Sequence, residues 1–138
     1  MKNKIMVYHK RNKQGFWVSM FFEKGDIVID DDVRKSYKVI NVALRVGISK
    51  RHNEEWFAKG ETGDGITGNG DVSNLKIALD LLKKFILKNP KENILVGAED
   101  DRRFRAYTWL KRYGFIELCD DCSGEKVLFK RGELNERN

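Results

Sequence analysis

The residues best placed to do chemistry are a glycine-rich stretch, 60–71 (GETGDGITGNGD), with five glycines in twelve positions. Apolar residues at helical spacing follow over 72–89, and Asp71 or Ser73 is placed to cap that helix. A helix N-terminus offers unpaired N–H groups and about half a positive charge, and glycines let a pyrophosphate approach them. The pattern predicts an anion site here. The alternative is a surface loop that only caps the helix.

The charge balance of the chain points in the same direction. The net charge is +6, and the densest basic clusters are 10–13 and 102–112. This charge is compatible with a polyanionic partner, either nucleic acid or a phosphate-rich cofactor. A basic surface without such a partner is an equally good interpretation.

The segment 92–116 predicts a strand, a turn, a helix and a second strand. The strand covers 93–98, and Asp100 and Asp101 can cap a helix over 101–113. Gly114 lies where a helix needs a left-handed residue. Apolar residues recur every third position and predict a core-facing stripe rather than a stacking platform: Phe104, Tyr107, Leu110 and Tyr113.

The run AYTWLKRYGF in this segment resembles the C-terminal signature of the GNAT acetyltransferase superfamily. Ala106 and the pair Gly114-Phe115 keep the family's spacing, and the resemblance extends over roughly 64–129. It implies an N-acyltransferase that moves an acetyl group from acetyl-CoA, as co-substrate, to an amine acceptor that the sequence does not identify. The N-terminal third departs from the family, because it predicts mostly strands where the family has helices.

The resemblance also implies a set of residues that bind acetyl-CoA. The family pattern is R/Q-x-x-G-x-G/A, which Gly68 and Gly70 match without the leading basic residue. Backbone groups of the glycine stretch would hold the pyrophosphate, the strand near Val96 would face the pantetheine arm, and an arginine would reach a CoA phosphate. The implied residues are Gly68, Asn69, Gly70, Asp71, Val72, Val96, Arg102 and Arg103.

The implied catalytic groups are an acid and a base. The family often has its tyrosine acid four residues before the glycine, where this chain has Leu110, so Tyr107 one turn earlier is the implied acid. Glu55 and Glu61 are the implied bases for the amine. The structural alternatives are a core tyrosine and two solvated carboxylates.

The whole chain, 1–138, predicts a single α/β (α+β) domain with a mixed, mostly antiparallel sheet and two main helices, 72–89 and 101–113. Strands are expected at 4–9, 16–22, 27–29, 37–48 and 52–59, with a turn at 24–26 and a C-terminal hairpin of 115–118 with 126–130. Over 37–48, β-branched residues favour the strand, and a helix from Asp32 is the alternative. The run 16–22 is nearly continuous in apolar and aromatic residues, which predicts cover on both faces. The tail 132–138 is expected to fray.

Cys119 and Cys122 form a CDDC sequence among turn residues, which favours hairpin residues over metal or redox chemistry. His9 and His52 belong to no paired ligand motif, so no metal is predicted.

No apolar run is long enough to span a membrane and no signal peptide is recognised, which predicts a cytoplasmic protein without a membrane partner. Two other functions stay open. One is a catalytically inactive GNAT-like module that binds nucleic acid; the other is an interaction protein with zinc at the CDDC turn.

Overall fold

A computed structural model of the chain describes residues 5–29, 35–59, 72–97, 108–119 and 126–132. The strands are β1 (Ile5–Arg11), β2 (Trp17–Ile29), β3 (Lys35–Gly47), β4 (Ile94–Gly97), β5 (Ile116–Cys119) and β6 (Lys126–Lys130). The helices are α1 (Lys50–Lys59), α2 (Val72–Lys88) and a short 3₁₀ helix (Thr108–Tyr113). The strands form one sheet in the order β1-β2-β3-β4-β6-β5. The predicted α/β class, with a mixed, mostly antiparallel sheet, is therefore confirmed.

The residues group into two compact units. The helical unit comprises Met6–Phe22 and Ala43–Lys88. The C-terminal unit comprises Met1–Ile5, Glu23–Val42 and Asn89–Asn138. Both long strands, β2 and β3, contribute residues to each unit.

In the helical unit, β2 is covered on both faces. Phe21 stacks on Phe57 of α1 with ring centroids 4.4 Å apart. Phe22 stacks on Phe85 of α2 at 4.0 Å. Successive strand residues point to opposite faces of a sheet, so α1 and α2 pack on opposite sides of β2. This arrangement confirms the prediction drawn from the continuous apolar run at 16–22.

In the C-terminal unit, β4 joins a parallel and an antiparallel neighbour. It pairs with β3 in parallel, with Ile40 opposite Ile94, and with β6 in the antiparallel sense, with Val96 opposite Leu128. β5 then pairs with β6, which confirms the C-terminal hairpin. Asn93 anchors the start of β4, because its side chain donates to the Lys38 carbonyl and accepts from the Gly132 N–H.

The turn predicted at 24–26 is wrong, because β2 runs unbroken to Ile29. Gly25 is in a strand for a packing reason. A side chain at this position would collide with the Asn41 amide on β3. Glycine in a strand often marks such a close approach, and the sequence Lys-Gly-Asp resembles a turn only when its neighbours are unknown.

The strand predicted at 52–59 is also wrong, because these residues belong to α1. Ser49 begins the helix by capping it: its hydroxyl accepts from the His52 N–H at 3.0 Å. The inward residues are Asn53, Trp56 and Phe57, which lie at the i, i+3 and i+4 positions typical of a helix face.

The helix predicted at 101–113 is described only from residue 108, where the structure has the 3₁₀ helix rather than an α-helix. Gly114 follows it with a φ of +92°, as predicted for a left-handed C-terminal residue. Leu110 is buried as expected. Tyr113 is 40% exposed, so its assignment to a buried stripe is wrong.

The contact between Gly25 and Asn41 yields a stability prediction. Gly25→Ala should lower the free energy of unfolding by about 1–3 kcal/mol, because overpacking displaces the Asn41 amide. In an Asn41→Ala background the same change should cost much less. Urea unfolding of the four variants measures the coupling. Gly97→Ala is the matched control, since its added Cβ would meet only Val127 at 3.9 Å. Equal losses in both backgrounds would contradict this account.

Candidate functional site

The turn between β1 and β2 is built around the buried side chain of Asn12. Its Oδ1 accepts from the backbone N–H groups of Gln14 at 3.0 Å and Phe16 at 2.9 Å. Its own backbone N–H donates to the Phe16 carbonyl, and its carbonyl accepts from Gly15. Asparagine suits such turns because its short side chain substitutes for a backbone acceptor. The conformation of the turn is therefore fixed by one side chain.

The same side chain holds the start of α2. Asn12 Nδ2 donates to Oδ1 of Asn74, the third residue of the helix, at 2.8 Å, and both residues are buried. The first turn of a helix carries unpaired N–H groups and a partial positive charge. The hydrogen bond therefore places the anion-attracting end of α2 against the β1–β2 turn.

This turn is strongly basic. Lys10, Arg11 and Lys13 are all exposed on it; we call residues 10–15 the basic turn. The Arg11 guanidinium lies 5.7 Å from the ring centroid of half-buried Trp17, and Nζ of Lys50 lies 4.6 Å from the same centroid. Both distances are within the range of cation–π attraction. Two segments of the chain thus bring cations to one indole, on the side of β2 that α1 covers.

A second buried polar cluster joins β1, β2 and α1. Asn53 Nδ2 donates to the Trp17 carbonyl at 3.0 Å and to Ser19 Oγ at 2.8 Å. Ser19 Oγ also lies 2.6 Å from Nδ1 of His9. The Trp17 carbonyl accepts only, which fixes the orientation of the Asn53 amide. The Ser19 hydroxyl therefore accepts from Asn53, and the direction of its hydrogen bond with Nδ1 of His9 depends on the His9 tautomer.

This cluster is structural rather than catalytic. Ser19 and Asn53 have no exposed surface, so no substrate reaches the Ser19 hydroxyl. The other amide atom, Oδ1 of Asn53, receives no hydrogen bond from the described residues. It lies against Gly47, where any larger residue would collide with it.

The described part of the chain includes three of the residues that the resemblance implied. Glu55 is exposed on α1, and its carboxylate accepts a hydrogen bond from Arg51 at 3.2 Å. Val72 is the first residue of α2, and Val96 is buried in β4. The rest lie outside the described residues: Glu61, Gly68, Asn69, Gly70, Asp71, Arg102, Arg103 and Tyr107.

Sequence reasoning missed the two asparagine clusters. The signal available was a polar residue inside an otherwise apolar element, such as Ser19 within the run 16–22. The hydrogen-bond partners lie 62 residues apart for Asn12 and Asn74, and 34 apart for Ser19 and Asn53. No local pattern in the sequence connects them.

Comparison with protein-family models, with curated proteins and with solved structures finds no match. Cys119 ends β5, and Cys122 lies outside the described residues. Within the described ranges, no group of three His, Cys, Asp or Glu side chains is placed to hold a metal ion. None of the described helices is long and apolar enough to cross a membrane.

The environment of His9 yields a pH prediction. Burial lowers the pKa of His9 below its ordinary value of 6.5, with Glu54 acting in the opposite direction and Lys50 adding to the decrease. The unfolded chain then binds a proton more readily than the folded chain. The stabilisation is complete above about pH 6.5 and is lost as the pH falls toward the lower folded pKa.

Urea unfolding at pH 7.5, 6.5 and 5.5 measures this effect. The free energy of unfolding should fall below pH 6.5 in the wild type, and the fall should be smaller in His9→Gln. His52→Gln, which changes an exposed histidine on α1, should keep the wild-type profile. Identical profiles for wild type and His9→Gln would contradict the assignment.

Proposed function

We propose that this chain is a CoA-dependent N-acyltransferase of the GNAT type, which transfers an acetyl group from acetyl-CoA to an amine. The observation that carries the proposal is the hydrogen bond from Asn12 to Asn74, which brings the basic turn to the start of α2. The glycine stretch 60–71 leads directly into this helix. Two features that favour bound phosphate, the basic turn and the start of α2, thus lie together, and the glycine stretch adjoins α2 in the sequence.

The charge arrangement suits the phosphates of CoA. In the GNAT pattern a basic residue precedes the glycines, and this chain lacks it. Arg11 and Lys13 of the basic turn would supply that charge from elsewhere in the chain. Backbone N–H groups at the start of α2 would bind the pyrophosphate oxygens, as helix N-termini commonly do. Val96 is buried and pairs with Val42 and Leu128 on the two edges of β4, so it has no free backbone edge and is not part of the proposed site.

The proposed reaction is direct attack of the amine nitrogen on the thioester carbonyl carbon. A C–N bond forms, the C–S bond breaks, and the electron pair of the C–S bond leaves with sulfur. Glu61 would accept the proton from the amine. Glu55 is a poorer candidate, because it lies on α1, on the opposite side of β2 from α2, and is paired with Arg51. Tyr107 would protonate the departing thiolate. Positioning of the two substrates would supply a large share of the rate enhancement.

Calorimetric titration with acetyl-CoA and desulfo-CoA tests the binding step. We expect micromolar affinity for the wild type. The double variant Arg11→Ala, Lys13→Ala should bind about 10- to 150-fold more weakly, because charge-assisted contacts to phosphate are lost. Lys88→Ala removes an exposed charge at the opposite end of α2 and should leave the affinity unchanged.

Two further variants test the glycine stretch in the same assay. Gly70→Asp should weaken binding through charge repulsion and a blocked backbone approach, whereas Cys119→Ser should have no effect. No binding of either ligand at millimolar concentration would refute the proposed function. Equal affinities for wild type and the double variant would refute the role of the basic turn.

A further inference from the structure

The C-terminal unit presents a cluster of exposed aromatic and aliphatic side chains. The described residues include five large hydrophobic side chains that are exposed, and three of these fall within eight residues of each other: Trp109 at 55%, Tyr113 at 40% and Ile116 at 55%. Trp109 and Tyr113 belong to the 3₁₀ helix, and Ile116 begins β5, an edge strand of the sheet. The sequence had predicted that the aromatic residues of this segment belong to the core.

Cations surround this cluster. Lys111 and Arg112 are exposed between Trp109 and Tyr113. The side chain of Lys130 passes Gly114, with Cε 3.9 Å from the position that a Cβ would take there. Glu117 pairs with Lys111 at 3.3 Å. Among the described residues of this segment and Lys130, the three cations outnumber this carboxylate.

The geometry of the 3₁₀ helix determines which side chains share a face. Residues three apart eclipse each other in such a helix. Leu110 and Tyr113 therefore lie on one side, where Leu110 is buried. Trp109 and Arg112 lie together on an exposed side, with the guanidinium carbon 5.9 Å from the indole centroid. This distance is at the outer limit of a cation–π contact, so the attraction between the two side chains is weak.

We propose that Trp109 and Arg112 on this exposed side, with the neighbouring cations Lys111 and Lys130, here called the aromatic–basic surface, bind single-stranded nucleic acid. A base stacks on the Trp109 indole, and Arg112 and Lys130 neutralise flanking phosphates. Exposed aromatic rings interleaved with cations are the features by which proteins bind single strands without reading sequence. The net charge of +6 on the whole chain favours a polyanionic partner such as nucleic acid.

Fluorescence anisotropy with labelled 20-mers of oligo-dT and oligo-U, at several salt concentrations, tests the proposal. We expect binding that weakens as salt rises, because phosphate contacts release counterions. Trp109→Ala should weaken binding about 5- to 150-fold, the loss expected for one stacked base, and Trp109→Phe should retain most of the affinity. Arg112→Ala should reduce the slope of log affinity against log salt by about 0.7.

Controls match the exposure and charge of the substituted residues. Leu87→Ala, at 81% exposure on α2, and Lys88→Ala should both bind like the wild type. Circular dichroism confirms folding of each variant.

Absence of binding at low salt would overturn the proposal, as would binding that depends on Arg11 and Lys13 but not on Trp109. Concentration-dependent dimerisation that Trp109→Ala abolishes would assign the surface to a second copy of the chain instead. The proposal does not depend on acyltransferase activity, so acetyl-CoA affinity should be unchanged in Trp109→Ala.

Discussion

The hydrogen bond from Asn12 Nδ2 to Asn74 Oδ1 is the contact on which the functional account depends. It joins two residues that are 62 positions apart, and both are buried. A buried amide left without a partner costs about 1–3 kcal/mol, so each asparagine requires the other. Because Asn12 also organises the β1–β2 turn, one side chain determines the shape of the basic turn and its position beside α2. The local concentration of positive charge follows from this arrangement.

Asn53 plays a comparable role for α1. Its amide donates to a β2 carbonyl and to Ser19, and this leaves its oxygen packed against Gly47 without a described donor. The stacked pairs Phe21–Phe57 and Phe22–Phe85 supply non-directional attraction between β2 and the two helices. The hydrogen bonds of the asparagine amides add direction, because they form in only one register of helix against strand. Hydrophobic packing thus holds the helices on the sheet, and buried amides determine where on it they lie.

The outcome for each element shows how far the sequence predicts the fold. Apolar runs predicted the first part of β2 and all of β4, β-branched residues predicted β3, and helical spacing predicted α2. The turn predicted at 24–26 and the strand predicted at 52–59 were wrong for different reasons. In the first, Gly25 is required by a cross-strand neighbour, which no local pattern reveals. The second contained a usable signal, the Ser49 cap followed by inward residues at i, i+3 and i+4, which the aromatic residues obscured.

The site was predicted in parts but not as an arrangement. The basic cluster at 10–13 and the start of α2 were both recognised, yet their proximity depends on a pair of asparagines far apart in the chain. The most direct test is an NMR titration of ¹⁵N-labelled protein with CoA. The account predicts that amide resonances of 72–74 and of 11–15 shift together along one binding curve, and that both sets lose their response in Asn12→Ala. Shifts confined to 108–118, or CoA binding that Asn12→Ala leaves intact, would contradict the claim that this hydrogen bond assembles the site.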